Sequence, residues 1–115
     1  MSVKILQLNF KFNVSKAEYE QAVSALASEY AAVPGLRWKI WIINEAEREA
    51  GGIYLFDDEA SVKALLEGPL AAKVMSHPAL SDFSVKQFDV MEDVTAITRV
   101  RLSKRPDLAC SQWVA

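Results

Sequence analysis

The stretch that most restricts the fold runs from Leu36 to Asn44. Strand-like alternation there sets Leu36, Trp38, Ile40 and Ile42 against Arg37, Lys39, Trp41 and Ile43, leaving large apolar groups on both faces. Such a strand has to be covered on both sides. Ile53 to Phe56 repeats the pattern in a shorter strand. Between them lie a charged loop with Glu45, Glu47, Arg48 and Glu49, then Gly51-Gly52, a pair expected to serve a tight turn or a bulge. The two strands read as a hairpin with a solvated loop.

The flanking segments are simpler. Val3 to Asn13 alternates, with Leu6, Leu8, Phe10 and Phe12 on one face and Ile5, Gln7, Asn9 and Lys11 on the other. Ser15 and Glu18 stand at capping-box spacing, and Tyr19, Ala22, Val23, Leu26 and Tyr30 then recur at helical intervals up to Pro34-Gly35. Asp57 and Asp58 are caps for a second helix carrying Val62, Leu65 and Leu66, which Gly68-Pro69 stops or kinks. A further helical piece, Leu70 to Ser76, ends at His77-Pro78. The last strand, Phe83 to Val90, sets Phe83, Val85, Gln87 and Asp89 against Ser84, Lys86, Phe88 and Val90. Met91 to Leu102 reads as a short helix or an extended arm.

This order, β-α-β-β-α-β, is the split βαβ plan of an α+β, ferredoxin-like domain: an antiparallel four-stranded sheet with helices on one face. One face would then be bare, yet the central hairpin is apolar on both. Association of two copies through their sheets, a homodimeric α/β barrel, resolves the conflict, because burying apolar area contributes about 25 cal/mol per Å². A C-terminal tail folded over the sheet is the alternative. The expected division is a domain over 1–102 and a tail over 103–115.

Thirteen basic and fifteen acidic residues leave a net charge of -2 with no basic run, so nucleic acid is an unexpected partner. No apolar stretch approaches the roughly 20 residues that cross a bilayer, and no signal-peptide core opens the chain; a cytoplasmic protein without membrane contact is the expectation. A single cysteine, Cys110, and a single histidine, His77, give neither a disulfide nor a metal-ligand cluster. No cofactor is expected, since the chain lacks a glycine-rich phosphate loop.

Two segments together, Gly35-Leu36-Arg37-Trp38-Lys39-Ile40-Trp41 and Glu49-Ala50-Gly51-Gly52-Ile53-Tyr54-Leu55-Phe56, resemble the signature of YdhR-type mono-oxygenases. The opening Leu6-Gln7-Leu8-Asn9-Phe10 and the closing Phe88-Asp89-Val90 are similar to that family too, and the likeness spans roughly residues 4 to 100. The resemblance implies a dimeric α/β barrel beside the antibiotic-biosynthesis mono-oxygenases. It also implies cofactor-independent oxidation of a small aromatic or polyketide-like molecule by O₂, with the substrate supplying the electrons. A non-catalytic dimeric module binding a small hydrophobic ligand is the second reading. Haem binding or degradation is the third: haem-degrading relatives use a first-strand asparagine, a helical tryptophan and a histidine, of which Asn9 and His77 answer to two.

For the chemistry, Tyr54, His77 and Asn9 are the catalytic candidates: a phenol, an imidazole and an amide that can follow a departing proton. Trp41, Lys39 and Gln7 are the substrate-binding candidates. Gln7 and Asn9 are expected to converge with Gln87 and Asp89 on the neighbouring strand. Trp38 and Trp41, three apart on a strand, fall on opposite faces, one for a partner copy and one for the pocket. Arg37 shares the Lys39 face in this reading. Asn9, Trp41, Tyr54 and His77 together are expected to line a pocket for a flat, weakly acidic aromatic molecule.

Overall fold

In a computed structural model, which describes residues 3–98, alternation in the first segment becomes β1 (Lys4–Phe12). Its even-numbered residues from Leu6 to Phe12 are buried. Next come α1 (Lys16–Ser24) and α2 (Ala27–Ala31), then the hairpin β2 (Leu36–Asn44) and β3 (Glu49–Phe56). α3 (Glu59–Leu66), α4 (Pro69–Met75), β4 (Leu80–Asp89) and α5 (Glu92–Ile97) complete the described chain. The strands lie in the order β2-β3-β1-β4, every pair antiparallel. α1 to α4 pack on one face, which is the ferredoxin-like arrangement. The expected boundary between 102 and 103, the tail and Cys110 lie outside the described residues. Among the described residues no helix is long and apolar enough to cross a membrane.

Local chemistry accounts for the element ends. Ser15 and Glu18 form the reciprocal capping box at α1. The helix expected to run to Tyr30 is instead divided. The Ser24 hydroxyl donates to the Glu20 carbonyl (2.8 Å), a back-bond that bends helices, and α2 restarts at Ala27. Asp58 accepts from the Ser61 N–H (2.9 Å) to cap α3, while Gly68 and Pro69, at the N-cap and first position, begin α4.

Two bulges alter the side-chain parity read from sequence. The register slips between Leu36 and Trp38, so Leu36 joins Lys39 and Trp41 on the helix side, while Trp38, Ile40 and Ile42 face away. Arg37, in the bulge, binds Asp57 (2.7 Å) rather than sharing the Lys39 face. β4 begins three residues earlier than expected: Asp82, at φ 55°, lets both Leu80 and Phe83 pack on the core. The β2–β3 connection is also shorter than read. Glu49 to Gly52 belong to β3, and Arg48, at φ 53°, ends the turn.

The core lies between sheet and helices. Leu6, Tyr54, Phe56 and Val62 are fully enclosed, and Tyr19 from α1 stacks on Phe12 (5.1 Å between centroids). The opposite sheet face carries Ile40, 51% exposed, and Phe88, 46% exposed, and none of α1 to α4 packs over it. The double apolar character of the hairpin thus divides its side chains: Tyr54 and Phe56 enter the core, while Trp38, Ile40 and Leu55 lie on the other face, where Leu55 is itself buried.

Candidate functional site

Between the sheet and the helices the chain encloses a cavity of about 210 Å³. Leu8, Phe10, Gly51 and Tyr54 form its floor, α1 and α2 one wall, and α4 with the turn into β4 the other. The lining is overwhelmingly apolar, with exposed Glu18, Lys73 and His77 at its margin.

At its centre stands Lys39. Its Nζ lies 3.3 Å from the Trp41 ring centroid, 3.5 Å from that of Tyr30 and 4.6 Å from that of Tyr54. Tyr30 is edge-on to Trp41 (5.5 Å, 89°) and tilted against Tyr54 (5.8 Å), so the three rings brace one another. Gly52, between Trp41 and Leu8 in the sheet, makes the space: a Cβ there would stand 2.7 Å from the Lys39 Cε. Gly51 is required by the backbone instead, since a Cβ there would meet the Leu8 carbonyl oxygen. Both glycines therefore act in mid-strand, where neither a turn nor a hairpin end is formed.

Electrostatics follows from this enclosure. Burial lowers the Lys39 amine to about 7, and no carboxylate among the described residues pairs with it to offset that cost. Three ring faces attract the ammonium and keep the nitrogen in place when it is charged. Burial raises the Tyr54 phenol, with the neighbouring Tyr30 phenol adding to the effect. Tyr30 is raised mainly by burial, and Tyr19 by burial to about 12. The phenols stay protonated at neutral pH, while the amine exchanges its proton.

The other polar groups of the cavity are engaged. Glu18 accepts from the Ser15 N–H (3.2 Å) and hydroxyl (3.1 Å), Lys73 pairs with Glu29 (3.4 Å), and His77 Nδ1 accepts from the Ala79 N–H (3.1 Å). His77 thus shapes the turn into β4 as well as bordering the cavity.

Of the residues expected at the site, Tyr54, Trp41, Lys39 and His77 are brought together. Asn9 and Gln7 are not. They lie on the opposite face of the sheet, where Gln7 donates to Asn9 Oδ1 (3.0 Å) and Asn9 donates to Glu49 (3.3 Å). The convergence with Gln87 and Asp89 also fails. Asn9 pairs with Ser84 and Gln7 with Lys86, which puts Gln87 and Asp89 on the helix side; Asp89 binds Lys4 (2.7 Å). Glu49, read from the sequence as part of the charged loop, is the first residue of β3 and accepts from Asn9. Tyr30 and Tyr19 were legible only as parts of an amphipathic stripe. Two tyrosines where leucines would bury equally well were the available signal.

Among the described residues no group of three or more histidine, cysteine or acidic side chains is placed to hold a metal. The family model described as "Putative mono-oxygenase ydhR" matches residues 5–101. A search of curated protein sequences gives no match. The solved structures similar to this chain include SnoaB, a cofactor-independent oxygenase from Streptomyces nogalater (TM-score 0.66, 17% identity, covering 82% of this chain and 98% of that one). A dimeric ferredoxin-like protein of unknown function from Thermobifida fusca superposes at TM-score 0.60 with 23% identity, covering 78% and 93%. MhuD, a haem degrader from Mycobacterium tuberculosis, does so at 0.61 with 18% identity, covering 77% and 97%. At these identities the likeness establishes the fold.

Proposed function

Because the chain belongs to the ydhR family of putative mono-oxygenases, we propose that it is a homodimeric, cofactor-independent mono-oxygenase acting on a small, weakly acidic aromatic or polyketide-like molecule. The observation that carries this reading is Lys39, an amine without a carboxylate partner among the described residues, set in an apolar cavity between three aromatic rings. SnoaB, with the same fold, is an oxygenase of the cofactor-independent kind.

The chemistry asks little of the protein. Lys39, neutral in part at pH 7, takes a proton from an activated C–H or O–H of the substrate, and its ammonium then stays beside the anion. The electron-rich anion adds O₂ to form a peroxide, which the ammonium protonates. Loss of water leaves a carbonyl, so that CH₂ and O₂ become C=O and H₂O, with all electrons supplied by the substrate. Tyr54 and Tyr30 remain protonated and serve as walls, with Tyr54 donating to Tyr30 and the Tyr30 O–H left for the substrate, while the apolar lining keeps water from the anion.

An oxygen electrode with a panel of phenols, quinols and anthrone-like ketones tests the reading. The expected result is substrate-dependent uptake that falls at least about 100-fold in Lys39→Met, the usual scale for loss of a general base. Ligand binding without uptake across the panel would instead identify a non-catalytic binding module. Haem chemistry lacks support from the geometry, since Asn9 and His77 are on opposite sides of the sheet.

A further inference from the structure

Lys39 is equipped for more than proton transfer. Its nitrogen is bounded by ring faces at 3.3, 3.5 and 4.6 Å, and no hydrogen-bond acceptor among the described residues holds it. The acid lining the cavity, Glu18, is occupied by Ser15 at the margin. The amine's lone pair is thus available to an electrophile entering the cavity, in surroundings that favour loss of water. The walls select a flat, apolar molecule, and Gly52 leaves room for the lysine stem to lie over the sheet.

We propose that Lys39 captures a small aromatic aldehyde or ketone covalently, as an imine. The amine nitrogen adds to the carbonyl carbon to form a carbinolamine; nitrogen loses a proton, the carbinol oxygen leaves as water, and a C=N bond replaces C=O. No oxidant or reductant is needed, and hydrolysis reverses the step. Depression of the amine to about 7 supports this, because an ordinary surface lysine near 10.4 is almost wholly protonated at neutral pH. The Tyr30 phenol, held protonated by burial and accepting from Tyr54, has its own O–H to hydrogen-bond the departing oxygen. The inference shares the cavity with the oxygenase reading but not its chemistry.

Benzaldehyde with sodium cyanoborohydride at pH 7 fixes any imine as a benzylamine, and peptide mapping by mass spectrometry locates it. On the intact folded protein, Lys39 is expected to carry the benzyl group with at least tenfold preference over every other lysine. The preference should vanish when the same protein is unfolded in urea. Lys39→Arg, checked for native circular dichroism, should lose this adduct alone. Labelling of Lys39 no greater than that of the surface lysines, or confined to the N-terminal amine, would overturn the proposal, and that result needs no variant to fold. Oxygen uptake measured on the same preparation separates the two readings: an adduct without uptake leaves imine capture standing and removes the oxygenase, and uptake without an adduct does the reverse.

Discussion

Lys39 sets the pH response of the molecule. Its amine is lowered to about 7 in the folded chain and lies near 10.4 when unfolded, so across that window the unfolded state binds more protons. Stability should rise from pH 7 to 9.5, by at most about 1.4 kcal/mol per pH unit, and the rise should be absent from Lys39→Met. Urea titrations of both proteins at several pH values measure it; parallel curves would show that the amine is not enclosed. Above pH 10 the sign reverses, because Tyr19, raised to about 12, keeps its proton in the folded state after the unfolded chain has lost it. Tyr54→Phe removes one enclosed hydroxyl and should cost only about 0.5 to 1.5 kcal/mol in a thermal melt while lowering turnover or ligand affinity. Unchanged rate and affinity in this variant would remove Tyr54 from the site. The sequence singled out Lys39, Trp41 and Tyr54 because strand parity put the first two on one face. It could not show the distance between Lys39 and Tyr30, which depends on where a separate helix comes to rest.

At the scale of elements, β3 shows how a strand can make room without leaving the sheet. Gly51 and Gly52 are adjacent, yet substitution should act differently at each. Gly51→Ala would drive a Cβ into the Leu8 carbonyl, a rigid backbone group, and should markedly lower the melting temperature. Gly52→Ala would meet the Lys39 stem, which can swing away, and the Tyr54 ring at 3.2 Å, which need give only slightly, so the loss of stability should be smaller than at Gly51 while the pH-dependent rise shrinks. Equal destabilisation by both would contradict this division. Alternation, capping box and Gly-Pro break were readable because each is local chemistry. The bulges at Arg37 and Asp82 were not, because a bulge shows itself only against the partner strand. Asn9 and Gln7 fail for a different reason: alternation already set them opposite Leu8 and Phe10, which line the cavity, and only their expected convergence with Gln87 and Asp89 turned on register. Division of the first helix was foreshadowed by Ser24, whose hydroxyl competes for a helical carbonyl.

For the whole molecule, the sheet is a partition. One side holds the core and the cavity; the other presents Ile40 and Phe88 to the surroundings, with the Gln7–Asn9–Glu49 series of hydrogen bonds between β1 and β3. If two copies meet on this face, as the proposed homodimer requires, Ile40→Glu should place a charge against apolar surface and shift sedimentation equilibrium at micromolar concentration to the monomer. An unmodified protein already monomeric there would refute the dimer. The partition also bears on how two copies would share their work. With Lys39 and Asn9 on opposite sides of the sheet, a partner meeting the Asn9 face would have no route through the strands to the Lys39 cavity. Such a pair would behave as two separate vessels joined back to back: pairing wild-type chains with Lys39→Met chains should give hybrids with half the sites and unaltered KM, each vessel filling and emptying without regard to its twin.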